Sequence, residues 1–349
     1  MISIIFTLVL ALQPQPDQIA FIGYTNSTSQ IYLIAIDETN PVPIGPTNTR
    51  GPIRWSPDGQ WLACTQITGS GERVCLIPVN GRETQYIEHT TAINQFPRWH
   101  DTGSLLAYQS GTFPNTSISV YDLQSKTEKT WGGVTTGLMR PVWLERRDFI
   151  RNQVPAAERD TLQLSDTGGV VAVQMIEGDQ GWTTQLAVAS EDRTMPFPEY
   201  AYEFPDEEHS EWNLEPGAKD RSFAYESNDG GDREIFLINK YRVYDISNHH
   251  AADINPVWSP DGKWIAFESY RKGHRGIYRA HRDSGRVLTV LESDTAEYFS
   301  PAWQKESQNI VCVQKLDNTF SLMVFSLEQQ IERSIPAPFT SIEYPTWKP

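Results

Sequence analysis

Short apolar runs of four or five residues, each closed by a polar turn, recur along most of the chain. The clearest unit reads Asn255-Pro-Val-Trp258-Ser-Pro-Asp-Gly-Lys-Trp-Ile-Ala-Phe267-Glu-Ser and continues to Gly276-Ile-Tyr-Arg-Ala280. A residue before proline is pushed out of the helical region, and Val and Trp favour strands, so Pro256-Val257-Trp258 predicts a short extended segment. Ser259-Pro260-Asp261-Gly262 fits a type I turn, with Ser first, Pro presetting φ at the second position and Gly fourth. Trp264-Ile-Ala-Phe267 predicts a second strand, Ile277 to Ala280 a third, and Arg286-Val-Leu-Thr-Val-Leu291 a fourth. Together they make a four-stranded antiparallel meander, the content of one propeller blade.

Other copies keep the frame. Arg54-Trp55-Ser-Pro-Asp-Gly-Gln-Trp-Leu-Ala63 matches almost residue for residue, while the copies at Trp99 and Trp303 keep the spacing without the Ser-Pro-Asp-Gly turn. Seven of the eleven tryptophans fall into this series: Trp55, Trp99, Trp143, Trp212, Trp258, Trp303 and Trp347, spaced 44, 44, 69, 46, 45 and 44 residues apart. A fixed period in the forties marks a repeat architecture such as a propeller. The Trp212 copy departs most: it lacks the proline two residues earlier and needs about four extra residues to bring Phe223-Ala224-Tyr225 into line.

The ends complement each other. Tyr344-Pro-Thr-Trp347 is a first strand with no continuation, and Gln18 to Phe21 and Gln30 to Ile34 are second and third strands with no first strand before them. The fold expected is therefore all-β, a seven-bladed propeller closed by the C-terminal strand joining the N-terminal strands, which hides the sheet edges. The 69-residue interval leaves six or eight blades as alternatives. Leu164 to Ala172 resembles a second-strand half, and one blade with residues 145 to 162 inserted suits the period better than two.

Residues 1–13 are set apart from a single propeller domain over 14–349. The run Met1-Ile-Ser-Ile-Ile-Phe-Thr-Leu-Val-Leu-Ala-Leu12 is too short to span a bilayer as a helix and resembles the core of a secretory signal, with Val9-Leu10-Ala11 as cleavage site, or else an apolar stub. A periplasmic or extracellular location follows. In that setting Cys64 and Cys75, at the positions of Phe267 and Tyr278, could form a disulfide across neighbouring strands, or stay two small buried hydrophobes.

The formal charge of −15 argues against a nucleic-acid partner. An acidic stretch runs from Glu203 to Glu215 and a basic one from Arg271 to Arg286, both expected as solvated loops and strand edges. No nucleophile elbow, zinc helix, phosphate loop or paired Cys-x-x-Cys occurs, so no catalytic residue, metal ligand or cofactor is nominated. His249-His250 lacks a third ligand, and Asn228 to Asp232 lacks the spacing of a calcium loop. What varies within the repeated frame is the residue just before each first strand: Phe96, Arg140, His209, Asn255, Ser300 and Tyr344. These are expected to ring one end of the channel and to bind a ligand there.

The segment Asn255 to Phe267, and after it Trp55 to Ala63, resembles the TolB-like, WD-repeat-like propeller repeat. Weaker copies extend the resemblance from about residue 17 to the end. TolB itself carries a domain before its propeller and is usually described with six blades, so its cellular role is not carried over; this chain is expected to hold the propeller alone. Similar repeats occur in prolyl-oligopeptidase-type peptidases, whose hydrolase domain is not expected here. Oligogalacturonate lyases are similar seven-bladed proteins with a metal held by histidines, and no matching cluster occurs in this sequence. The leading expectation is an exported, non-enzymatic module of this propeller type, binding a protein, peptide or other ligand at the channel mouth, with no membrane span. The alternative is a lyase or hydrolase acting on carbohydrate or peptide within the channel.

Overall fold

The computed structural model describes residues 17–349, apart from 27, 90, 134–136, 145–168, 179–180, 192–193, 197–210, 218–221, 230 and 240–242. The described residues form seven four-stranded antiparallel sheets. In chain order the first five complete sheets are β4 to β7 (Thr49–Trp55, Trp61–Thr68, Gly71–Pro78, Gln85–Tyr86), β8 to β11 (Asn94–Trp99, Leu105–Ser110, Ser117–Asp122, Thr127–Trp131), β12 to β15 (Leu138–Leu144, Gly169–Gly178, Gly181–Ala189, Thr194–Pro196), β16 to β19 (Glu211–Pro216, Phe223–Ser227, Glu234–Ile238, Val243–Asp245) and β20 to β23 (Asp253–Trp258, Trp264–Ser269, Gly276–His281, Val287–Leu291). The sixth is β24 to β27 (Ala296–Trp303, Asn309–Leu316, Thr319–Ser326, Ile331–Pro336). The seventh joins β28 (Ser341–Trp347) to β1, β2 and β3 (Gln18–Tyr24, Ser29–Ala35, Val42–Thr47), with Ile19 opposite Trp347. They form a seven-bladed propeller closed by the two ends of the chain. The strand after the long interval, β13, pairs with β12, so Trp143 and Val170 share one blade. The proposed insertion, 145 to 162, lies outside the described residues. No helix among them is long and apolar enough to cross a membrane.

Each blade is covered on both faces by its neighbours. This is why second strands such as Phe223–Ser227 are buried at every position instead of alternating. Seven apolar clusters result, one at each junction between adjacent blades. The Ser-Pro-Asp-Gly turn holds itself: Ser259 Oγ donates to Asp261 Oδ1 at 2.6 Å and accepts from Trp264 N–H at 2.9 Å, and Gly262 N–H donates to Ser259 O at 2.8 Å.

Six indoles tie the ring together. Trp55 donates through Nε1 to Thr346 O, Trp99 to Arg54 O, Trp143 to Arg98 O, Trp258 to Glu215 O, Trp303 to Val257 O and Trp347 to Ala302 O, over 2.9 to 3.3 Å. Each acceptor is the residue one before the tryptophan position of the preceding blade. In the blade of β16 that position is Pro216, not Trp212: Pro216 lies opposite Phe223 as Trp258 lies opposite Ile265. The four residues the sequence seemed to have in excess are the distance from Trp212 to Pro216. Trp212 sits outside the indole series, with the Arg233 guanidinium 4.7 Å from its ring centre.

Candidate functional site

First strands line the axis, and all start at the same end of the channel, the mouth. The antiparallel meander then places the connections from second to third strand, and from each blade to the next, at the mouth. The turns from first to second and third to fourth strand lie at the opposite face.

Phe96, Arg140, Asn255, Ser300 and Tyr344 occupy equivalent positions, three residues before the tryptophan. They do not precede the strands as expected but sit inside them, where the pairing register shifts. All have positive φ, from 50° to 56°. Their equivalent in the β16 blade is Asn213, with φ 45°; His209 lies outside the described residues. Left-handed backbone is unusual for residues other than Gly and Asn, and a bulge of this kind re-aims a side chain. The bulge is pinned from the neighbouring blade. Gln109 Oε1 accepts from Arg140 N–H at 3.4 Å, Glu226 Oε1 from Asn255 N–H at 2.7 Å, and Glu268 Oε1 from Ser300 N–H at 2.8 Å.

The side chains form a connected arc. Arg140 donates to Asn213, Asn213 to Asn255 at 3.1 Å, and Asn255 to Glu268 at 2.8 Å. The Arg140 guanidinium lies 5.1 Å from the Phe96 ring centre. Tyr344 lies against Gly51, where an added Cβ would come within 2.1 Å of its ring, so only glycine admits the ring there. Glu226 and Glu268 are buried, and burial pushes both carboxyls above their usual range despite the hydrogen bonds they accept.

Two residues deeper, one before the tryptophan position, the chemistry changes. Three of the seven positions are charged, Arg54, Arg98 and Glu215; the others are Val142, Val257, Ala302 and Thr346. Arg98 and Glu215 come from non-adjacent blades and meet with Arg98 Nη2 to Glu215 Oε2 at 2.6 Å, bridging part of the channel. Burial alone would raise the Glu215 carboxyl, but Arg98 and Arg54 hold it below the usual carboxylate range. Arg54 is enclosed by protein yet keeps contact with solvent along the channel, and burial together with Arg98 pulls its guanidinium down to about 10.

These three charges escaped the sequence reading. Glu215 falls within an acidic run if Trp212 is the repeat position, and Arg54 falls within the repeated frame. The signal was present, since the residue before each tryptophan varies as widely as the one three before. The basic stretch is solvated only in part, at residues such as Lys272 and Arg286. Arg271 Nη2 pairs with buried Asp253 Oδ2 at 2.7 Å, and Arg279 and Arg282 lie over the rings of Trp264 and Trp258.

A cleft of about 350 Å3 lies at the mouth end of the β16 blade, lined by Asp229, Asp232, Glu234, Asp245 and His249 among others. His249 Nδ1 accepts from Ala251 N–H at 3.1 Å, so that nitrogen is engaged by the backbone. Among the described residues no three His, Cys, Asp or Glu side chains converge as a metal site. Cys64 and Cys75 face each other as free thiols, Sγ to Sγ 2.9 Å.

Residues 214–349 match the family model described as the TolB beta propeller domain. A Tol-Pal system protein TolB of Desulfosudis oleivorans is 31% identical over 90 residues, which are 25% of this chain and 20% of that protein. A TolB homolog of Chlorobaculum tepidum is 23% identical over 114 residues, 32% of this chain and 26% of that protein. The matches thus span about a quarter or less of these relatives. Among solved structures, TolB from Acinetobacter baumannii aligns with a TM-score of 0.59 at 14% identity, over 95% of this chain and 67% of that one. The propeller domain of the trilobed protease of Pyrococcus furiosus aligns at 0.64 and 9% identity, over 92% and 94%. An oligogalacturonate lyase in complex with manganese aligns at 0.59 and 13% identity, over 91% and 85%. At such identities the structural likeness shows the fold alone. Residues 214–349 are TolB-like propeller repeats, and the other described blades share their fold.

Proposed function

We propose that this propeller is an exported, non-enzymatic interaction module, working in the periplasm or outside the cell, whose protein or peptide partner docks on the mouth of the channel. One observation carries the reading. Of the eight exposed large hydrophobic residues among those described, five lie at the mouth end: Ile67, Phe113, Tyr270, Leu316 and Tyr344. The other three, Val42, Tyr86 and Ile331, lie on outermost strands, and none occupies a described turn from first to second strand. Exposed apolar groups gathered on one face mark an interaction surface, and aromatic anchors carry much of the energy at such surfaces. The Tol-Pal system membership of one relative agrees with a protein partner.

The ring residues Phe96, Arg140, Asn213, Asn255, Ser300 and Tyr344 would then set specificity at the centre. The enzyme alternative draws on Glu226 and Glu268, buried carboxyls with raised proton affinity beside the ring. Both already hold backbone N–H groups of the next blade, which accounts for them as positioning groups. The test is capture from a native envelope extract by the wild-type chain and by the double variant Tyr270→Ser, Leu316→Ser. The reading expects a partner retained by the first and lost from the second. Equal retention by both would contradict it.

A further inference from the structure

The charges in the channel neck do not balance. At the level of Arg54, Arg98 and Glu215, two guanidiniums stand against one carboxylate, a net +1, and the other four positions at that level are uncharged. Arg98 takes the whole of the short ion pair with Glu215, its Nη1 also lying 3.5 Å from Oε1. Among the described residues Arg54 has no ion pair or side-chain hydrogen bond, and its Nε is buried without any partner. Above it, the Arg140 side chain finds the neutral Asn213, and Arg50 is paired outside the neck with Glu72 at 2.8 Å. Glu215 acts on Arg54 too, but its short ion pair is with Arg98, and a cation so enclosed with no ion pair of its own is costly. It stands out the more in a chain whose formal net charge is −15.

We infer that the channel neck is a receptor for one oxyanion, a carboxylate or a phosphate, with Arg54 as its anchoring cation. The inference rests on the mouth being the working face and names what that face admits to its centre. The oxyanion enters past Tyr344 and Arg140 and meets the unpaired guanidinium of Arg54, whose fork of N–H donors suits two oxygens. Arg98, already engaged, contributes through its charge. Glu215 opposes the ligand, and the Arg98–Glu215 pair keeps the neck from carrying a still larger positive charge when empty.

The geometry makes two substitutions act in opposite directions. Calorimetric titration of the full chain, at constant ionic strength kept with sodium chloride, would use inorganic phosphate, acetate, and a short peptide with a free C-terminal carboxylate against the same peptide amidated. The expected result is saturable one-to-one binding of at least one oxyanion probe. Arg54→Gln should weaken it by about tenfold or more, and Glu215→Gln should tighten it by roughly threefold to tenfold. The probes identify the source: preference for phosphate points to a phosphorylated ligand, and preference for the free peptide over its amide to a chain terminus. Since Arg54 has no hydrogen bond or ion pair of its own to lose, Arg54→Gln should melt close to the wild type without ligand, which separates lost binding from lost fold. If none of the probes binds, or if the two variants shift binding in the same direction, the inference is overturned. Partner capture at the mouth would be unaffected by that failure, so the docking reading stands or falls separately.

Discussion

At the scale of single residues, position within the repeat outweighs residue type. Trp258 and Trp212 are both indoles, but only Trp258 is wedged between blades and donates to the blade before it. Trp258→Ala is expected to cost about 3–5 kcal/mol, as for a buried aromatic. Trp212→Ala, losing chiefly a stacked arginine, is expected to cost about 1 kcal/mol or less. Urea denaturation of the two variants checks the difference, and equal losses would restore Trp212 to the indole series. A second residue-scale expectation concerns Glu234. Burial, then the nearby Asp253 and Asp245, push its carboxyl up to about 8, against the Ser247 and His249 hydrogen bonds that oppose the rise. A raised carboxyl means that the folded chain holds the proton more tightly than the unfolded one. The stabilisation from this group is therefore complete below the unfolded value, near that of a free glutamate, and is lost as pH rises through about 8. Stability should fall across that window by at most about 1.4 kcal/mol per pH unit, and Glu234→Gln should flatten the fall.

At the scale of elements, the blades were legible and the site was only half so. Turns and second strands repeat because their residues answer to local rules: Ser-Pro-Asp-Gly closes on itself, and Ile-Ala-Phe fills two interfaces at once. The ring position could be located from its variability, but its backbone could not, because no residue pattern announces a left-handed bulge at Phe96 or Tyr344. Arg98 and Glu215 meet across more than one hundred residues, and nothing local in either segment points to the other. The closure strand gives the sharpest element-scale prediction. β28 pairs with β1 and supplies Ile342 and Trp347 to one cluster. Removing residues 341–349 should expose the β1 edge and abolish the cooperative melting transition, as followed by calorimetry. The β5–β6 pair gives another: Cys64 and Cys75 are register partners. We expect protein recovered from an oxidising compartment to be lighter by two hydrogens, with the two peptides joined. Free thiols at both positions in such protein would contradict the expected disulfide.

At the scale of the whole molecule, the propeller sorts its residues between two ends. Self-closing turns occupy one face, and the varied ring, the exposed Phe113, Tyr270 and Tyr344 and the loops between blades occupy the other. Six junctions carry an indole hydrogen bond; the junction between the β12 and β16 blades has none, because Pro216 takes the indole's place, and it rests on its apolar cluster and the Arg140–Asn213 hydrogen bond. That junction is expected to open first, so amides of β16 should exchange with deuterated solvent sooner than those of β20. The claim on which the functional account depends is that partners approach from the mouth. Its most direct test is to place a photo-crosslinking residue at Phe113 and Tyr270 on the mouth side, and at Asp58 and Asp283 on the opposite face, and to irradiate each protein in its native envelope. The account predicts a shared crosslinked partner from the first two positions and none from the second two; a partner trapped only from Asp58 or Asp283 would contradict it.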